Sequence, residues 1–101
     1  MSLTLLQIDF PFTGPWGDDM AVAMEGLAHD IAATPGLKWK IWTENPESGR
    51  AGGIYLFEDA VSAARYCAMH VARLQGFGVK DIRALDFQVN EALCRIDRAP
   101  L

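Results

Sequence analysis

Cysteine is nearly absent from this chain: Cys67 and Cys94 are the only two. They are too few and too far apart for a metal motif, so they read as small, buried or half-buried reduced thiols. Basic residues are also in deficit. Nine Lys and Arg stand against 13 Asp and Glu, for a net charge of −4. That balance excludes nucleic acid or an anionic membrane surface as the main partner. Charged residues make up 22% and form no block of one sign, which excludes a disordered chain. No apolar run approaches the ~18–20 residues of a membrane span, and no signal peptide is visible. A cytoplasmic protein is the expectation. No His-Cys-carboxylate cluster has the spacing of a zinc or iron site, so no metal is expected. Gly52-Gly53 lacks the spacing and the following helix of a phosphate cradle, so no nucleotide or other cofactor is expected either.

What the chain does have is apolar surface. Half of its 101 residues are hydrophobic. Its length predicts a single domain over residues 1–101. A domain of this size buries only roughly 60–65% of its unfolded surface, and an oligomer would hide more.

The hydrophobic period switches in a regular order along the chain. Leu3 to Phe10 alternates, with Thr4, Leu6, Ile8 and Phe10 on one face and Leu3, Leu5 and Gln7 on the other. Pro11 ends that strand, and the loop PFTGPWGDD breaks the chain. Asp18 or Asp19 is placed to cap a helix whose stripe is Met20, Met24, Leu27 and Ile31. Thr34-Pro35-Gly36 stops it. Leu37 to Glu44 reads as the second strand, and Asn45 to Gly49 as a turn. Gly53 to Glu58 is the third strand. Asp59 or Ser62 caps a second helix with Val61, Ala64, Cys67 or Ala68, Val71 and Leu74 in its stripe, ended by Gly76-Phe77-Gly78. Ile82 to Val89 is the fourth strand, and residues 90–101 are a tail.

This βαββαβ order predicts an α+β, ferredoxin-like fold: a four-stranded antiparallel sheet with two helices on one face. The helices cover one face only, yet strands one and four carry apolar residues on both. A sheet apolar on both sides wants a second layer, which a homodimer with two facing sheets supplies. Leu93 and Ile96 on the tail are expected to reach the partner. The other arrangement is a monomer whose tail folds across the open face.

Five segments carry a resemblance: F-x-x-x-G-P-x-G-D near the start, GLKWKIWTE, AGGIYLFED, HVARL and FQVNEAL. Together they resemble the YdhR-type mono-oxygenase family over nearly the whole chain. The resemblance implies a dimeric α+β barrel, in which two ferredoxin-like sheets close one barrel. It also implies relatives that oxidise phenols to quinones without a cofactor, or that degrade haem. The activity it points to is a cofactor-independent mono-oxygenase acting with O2 on a small aromatic or enolisable compound. The alternative is a non-enzymatic dimeric barrel holding a small apolar ligand or haem.

Such an oxygenase needs aromatic walls, a base and hydrogen-bond donors around a dry cavity. His70 is the expected base, since imidazole accepts a proton near neutrality. Tyr66 and Arg73 lie on its flank of the helix, at four before and three after, and complete the expected catalytic group. A lone His beside an apolar stripe is otherwise a hydrogen-bonded structural residue. His29 is expected in solvent. Trp39, Trp42, Tyr55 and Phe57 are the candidate walls. Trp39 and Trp42 are three apart on one strand, so they face opposite ways. Alternation groups Trp39 with Leu37 and Ile41, and Trp42 with Lys38, Lys40 and Glu44. Lys40 is placed to steady a phenolate, or else to pair with Glu44 at a sheet surface. Asn90 ends strand four, where it could bond a substrate oxygen or shape a turn. Trp16 lies on the loop before helix one, as a lid or as cover for the core edge.

Overall fold

The computed structural model describes residues 2–101. The chain runs β1 (Thr4–Pro11), α1 (Gly17–Ala32), β2 (Leu37–Asn45), β3 (Arg50–Phe57), α2 (Ala60–Gly76), β4 (Arg83–Gln88) and α3 (Glu91–Ile96). The strands form one antiparallel sheet in the order β2-β3-β1-β4. This is the expected α+β, ferredoxin-like arrangement, with a short third helix added from the tail.

β1 is central, paired with β3 on one side and β4 on the other. Its alternation decides which face is which. Thr4, Leu6 and Ile8 are buried, while Leu5, Gln7 and Asp9 are half-buried on the opposite side. Leu6 and Ile8 meet Tyr55 and Phe57 of β3, Ile31 of α1, and Ala63, Tyr66 and Leu74 of α2 in one core. Both long helices therefore cover the same face. The two aromatic residues at the centre, Tyr55 and Phe57, are essentially fully buried. Burial of such side chains stabilises by roughly 1.5–3 kcal/mol each.

The helix starts have different causes. Asp59 caps α2 as expected, its side chain accepting from the Ser62 N–H at 2.7 Å. α1 differs from expectation. Its N-cap is Trp16, which offers no side-chain acceptor. Glu44 of β2 does the work instead, with Oε1 accepting from the Gly17 N–H at 2.8 Å. Asp18 and Asp19 lie in the first turn, where the helix dipole favours negative charge, rather than capping it.

One register irregularity corrects the reading of β2. Leu37 pairs with Phe57 and Trp39 with the very next residue, Leu56. Lys38 is the extra residue of a bulge. Leu37 thus faces the helices and Trp39 the open side, so the two do not share a face. Trp39 and Trp42 still point opposite ways. β3 also begins three residues earlier than the apolar run suggests, because Arg50, Ala51 and Gly52 pair along β1.

The open face keeps exposed apolar groups: Ile41, Leu85 and Phe87 are 51%, 42% and 49% exposed. Asp9 sits on this face between Arg50 and Arg83, which both donate to its carboxylate. Burial pushes that carboxyl up, but the hydrogen bonds from Arg83, Arg50 and Gln7 hold it below the usual range. The tail turns back over the sheet. Asn90 caps α3 by accepting from the Leu93 N–H at 3.2 Å. The Trp39 Nε1–H then donates to the Pro100 carbonyl at 2.6 Å. Leu93 and Ile96 stay exposed. Among the described residues no helix is long and apolar enough to cross a membrane.

Candidate functional site

A cavity of about 340 Å³ lies between the sheet and the two long helices. β1 and its following loop supply Phe10 and Phe12, and α1 supplies Met20 and Met24. Trp42 and Tyr55 form the sheet wall. Phe12 stacks edge-on to Phe10 at 6.1 Å and to Trp16 at 5.4 Å, so the loop forms an aromatic rim. Within these apolar walls stand two ionisable nitrogenous side chains, Lys40 from β2 and His70 from α2.

Lys40 reaches the cavity because alternation puts it opposite Tyr55 and because its neighbour on β3 is a glycine. The Lys40 Cε occupies the space a side chain at Gly53 would fill. Its Nζ stands 3.4 Å from the Trp42 ring centroid and 4.8 Å from that of Tyr55. It has no carboxylate partner among the described residues, since Glu44 is turned to the start of α1. Cation–π contact offsets only part of the lost hydration. Burial, and then the nearby Arg73 charge, lower the Lys40 amine to about 7.

His70 is buried, 3% exposed. Arg73 lies one turn further along α2. Its Nη2 and Nε sit 2.9 and 3.3 Å from His70 Nδ1, while Nη1 bonds Asp30 of α1 at 2.6 Å. A guanidinium has no lone pair to give, so Nδ1 is the acceptor. The neutral ring therefore carries its proton on Nε2. Burial, the Lys40 charge and the Arg73 charge lower the basicity of His70 to about 4. Tyr66 stacks behind the imidazole, 5.0 Å away at an interplanar angle of 20°. Its hydroxyl has no hydrogen-bond partner among the described residues. Burial pushes both Tyr55 and Tyr66 up, so both remain phenols.

Four of the candidate residues thus line one cavity: Lys40, Trp42, Tyr55 and His70. Tyr66 and Phe57 lie behind them in the core, and Arg73 holds His70 from the side. Trp39 is on the open face, Asn90 is a helix cap, and His29 is exposed. Phe10, Phe12, Met20 and Met24 were not among the candidates. The period of β1 and α1 could have marked three of them as inward-facing, but nothing local marks them as cavity rather than core.

Two bases whose proton affinity is lowered by burial make stability depend on pH in a definite way. Both have folded values below their unfolded values, so the unfolded chain binds more protons over each interval. Stability is expected to rise with pH between about 4 and the free-histidine value near 6.5, through His70. It should rise again above about 7, through Lys40. Thermal midpoints measured from pH 4 to 9 test this. A His70→Gln variant should lose the lower rise and keep the upper one; an unchanged lower rise would assign it to another group.

A family profile described as "Putative mono-oxygenase ydhR" matches residues 5–100. No curated protein matches the chain.

Proposed function

The chain belongs to the ydhR family, and from that premise we propose that it is a mono-oxygenase that oxidises a small phenol, hydroquinone or enolisable compound with O2 and without a cofactor. The observation that carries this reading is a lysine without a carboxylate partner beside a histidine of fixed tautomer, in one apolar cavity. A neutral amine takes the proton of the bound hydroxyl, leaving an electron-rich oxyanion. Lys40 is that base, because its amine is lowered to about 7. His70 acts as a donor: Nε2–H holds the developing oxyanion, together with the newly formed Lys40 ammonium. Arg73 positions the imidazole, and Tyr66 backs it. Trp42, Tyr55 and Phe10 hold the ring and exclude water. For a phenol the products are the quinone and water, with one oxygen atom going to each. Oxygen uptake by the purified protein with a dihydroxynaphthalene, after metals and flavin are removed, tests the proposal. No uptake over the uncatalysed rate with any electron-rich phenol would leave a ligand-binding barrel instead.

The assembly that fits this chain is a homodimer with the open faces opposed. Ile41, Leu85 and Phe87 leave the open face apolar, and the two long helices cover only the other. Sedimentation at micromolar concentration is expected to give a dimer, and Phe87→Glu a monomer. A wild-type monomer would overturn the assembly without touching the cavity.

A further inference from the structure

We propose that Lys40 is also a covalent site for small aromatic aldehydes and ketones, which it captures as an imine inside the cavity. The proposal rests on the same cavity as the oxygenase reading but not on oxygen chemistry, so each can fail alone.

Which lysine can attack a carbonyl depends on its charge state and surroundings. Only the neutral amine carries the lone pair, and lysines become nucleophiles when desolvated in an apolar pocket or set beside another cation. Both conditions hold at Lys40. The rings of Trp42 and Tyr55 face its Nζ. Around it, α1 contributes only apolar side chains to the cavity, Met20, Met24 and Leu27, and β1 contributes Phe10. α2 contributes His70 and, behind it, the Arg73 cation. Tyr55 on β3 remains a phenol. Among the described residues no carboxylate lies within ion-pair distance of Lys40; Glu44 accepts from the Gly17 N–H and Asp30 pairs with Arg73. No anion among the described residues therefore pairs with the ammonium form. Lys38 and Lys80, by contrast, are exposed.

The cavity suits the electrophile as well. Its size, about 340 Å³, and its aromatic walls fit a one- or two-ring carbonyl compound. The Lys40 lone pair forms a C–N bond to the carbonyl carbon, and a proton moves from nitrogen to oxygen to give the carbinolamine. Water then leaves and the C=N bond forms. No oxidant or reductant takes part. His70 Nε2–H is the donor in the cavity for the departing oxygen.

The test uses 2-naphthaldehyde with sodium cyanoborohydride, whose hydride converts the imine to a stable secondary amine. The reaction is run without oxygen and read by peptide mass mapping. Lys40 should be labelled about 10–100-fold faster than Lys38 or Lys80 at pH 7, because an unperturbed lysine near 10.4 is almost wholly protonated there. Naphthalene should slow labelling of Lys40 and leave the other two unchanged. Half-maximal labelling is expected near pH 7, and Arg73→Met should move that midpoint upward by removing a neighbouring cation. Lys40→Arg should lose only the label at position 40. Equal labelling of the three lysines in wild-type protein, with folding confirmed by circular dichroism, would overturn the proposal. So would a midpoint near 10.

Discussion

Replacing Lys40 by Met is expected to lower phenol turnover by about 10²–10⁴-fold, the usual scale for removing a general base. Met matches the reach of the lysine stem, so the walls of Trp42 and Tyr55 should stay in place. Stability should move the other way. The wild-type cavity holds an amine that must be partly desolvated and has no anionic partner, and removing it relieves that cost. A thermal midpoint equal to or above that of the wild type, with turnover lost, is the expected pair of results. The pH profile gives a second handle. kcat/KM of the wild type should climb with pH through about 7, as the Lys40 amine loses its proton. His70 is not expected to produce an inflection above pH 6, because its basicity is lowered to about 4. Full activity in Lys40→Met, or a profile governed by a group near 6.5, would return the base role to His70.

The placement that favours Lys40 over His70 for the proposed base role was only half legible in the sequence. Alternation on β2 puts Lys40 and Trp42 on one face, and that reading matches the register with β3. The order of elements was legible for the same reason: periods of two and of about 3.6 are local properties of the chain. The bulge at Lys38 was not. It turns Leu37 toward the helices and Trp39 away from them, and no residue type there announces it. Glu44 shows the same limit. Its spacing from Lys40 suggests an ion pair along the strand, but the start of α1 lies closer and its unbonded N–H takes the carboxylate. That one non-local contact strips Lys40 of a partner. His70, Tyr66 and Arg73 do share a flank, as helical spacing requires. Whether Arg73 would neutralise a ligand or bind the imidazole depends on Asp30, 43 residues away in the chain. Asn90 fell to the tail, whose short helix it caps.

The adjacent glycines of β3 should separate fold from function when each is replaced by Ala. Both sit mid-strand with β1 on one side and β2 on the other, yet they face opposite ways. Gly52 pairs with Asp9 and Thr43. A methyl there would press into the Ile8 carbonyl and the Asp9 Cα, which are backbone atoms of the central strand. They cannot yield without parting β1 from β3. Gly52→Ala is therefore expected at the high end of the overpacking range, about 1–3 kcal/mol of lost stability. For a domain of this size each kcal/mol moves the thermal midpoint by about 4–8 °C. Gly53 faces the helices, and a methyl there would meet the Cε of Lys40 and come within 3.3 Å of the Ile41 carbonyl. The end of a lysine side chain can swing aside, so the fold should hold. The amine would then leave its place over Trp42 and Tyr55. Displacement of a reacting group by about 1 Å can cost on the order of 10²-fold in rate. Gly53→Ala should accordingly melt close to the wild type and lose most of its oxygen uptake, while Gly52→Ala melts early. Melting curves and oxygen uptake on the same two variants decide it. Wild-type turnover in Gly53→Ala would mean that the position of Lys40 does not set the rate.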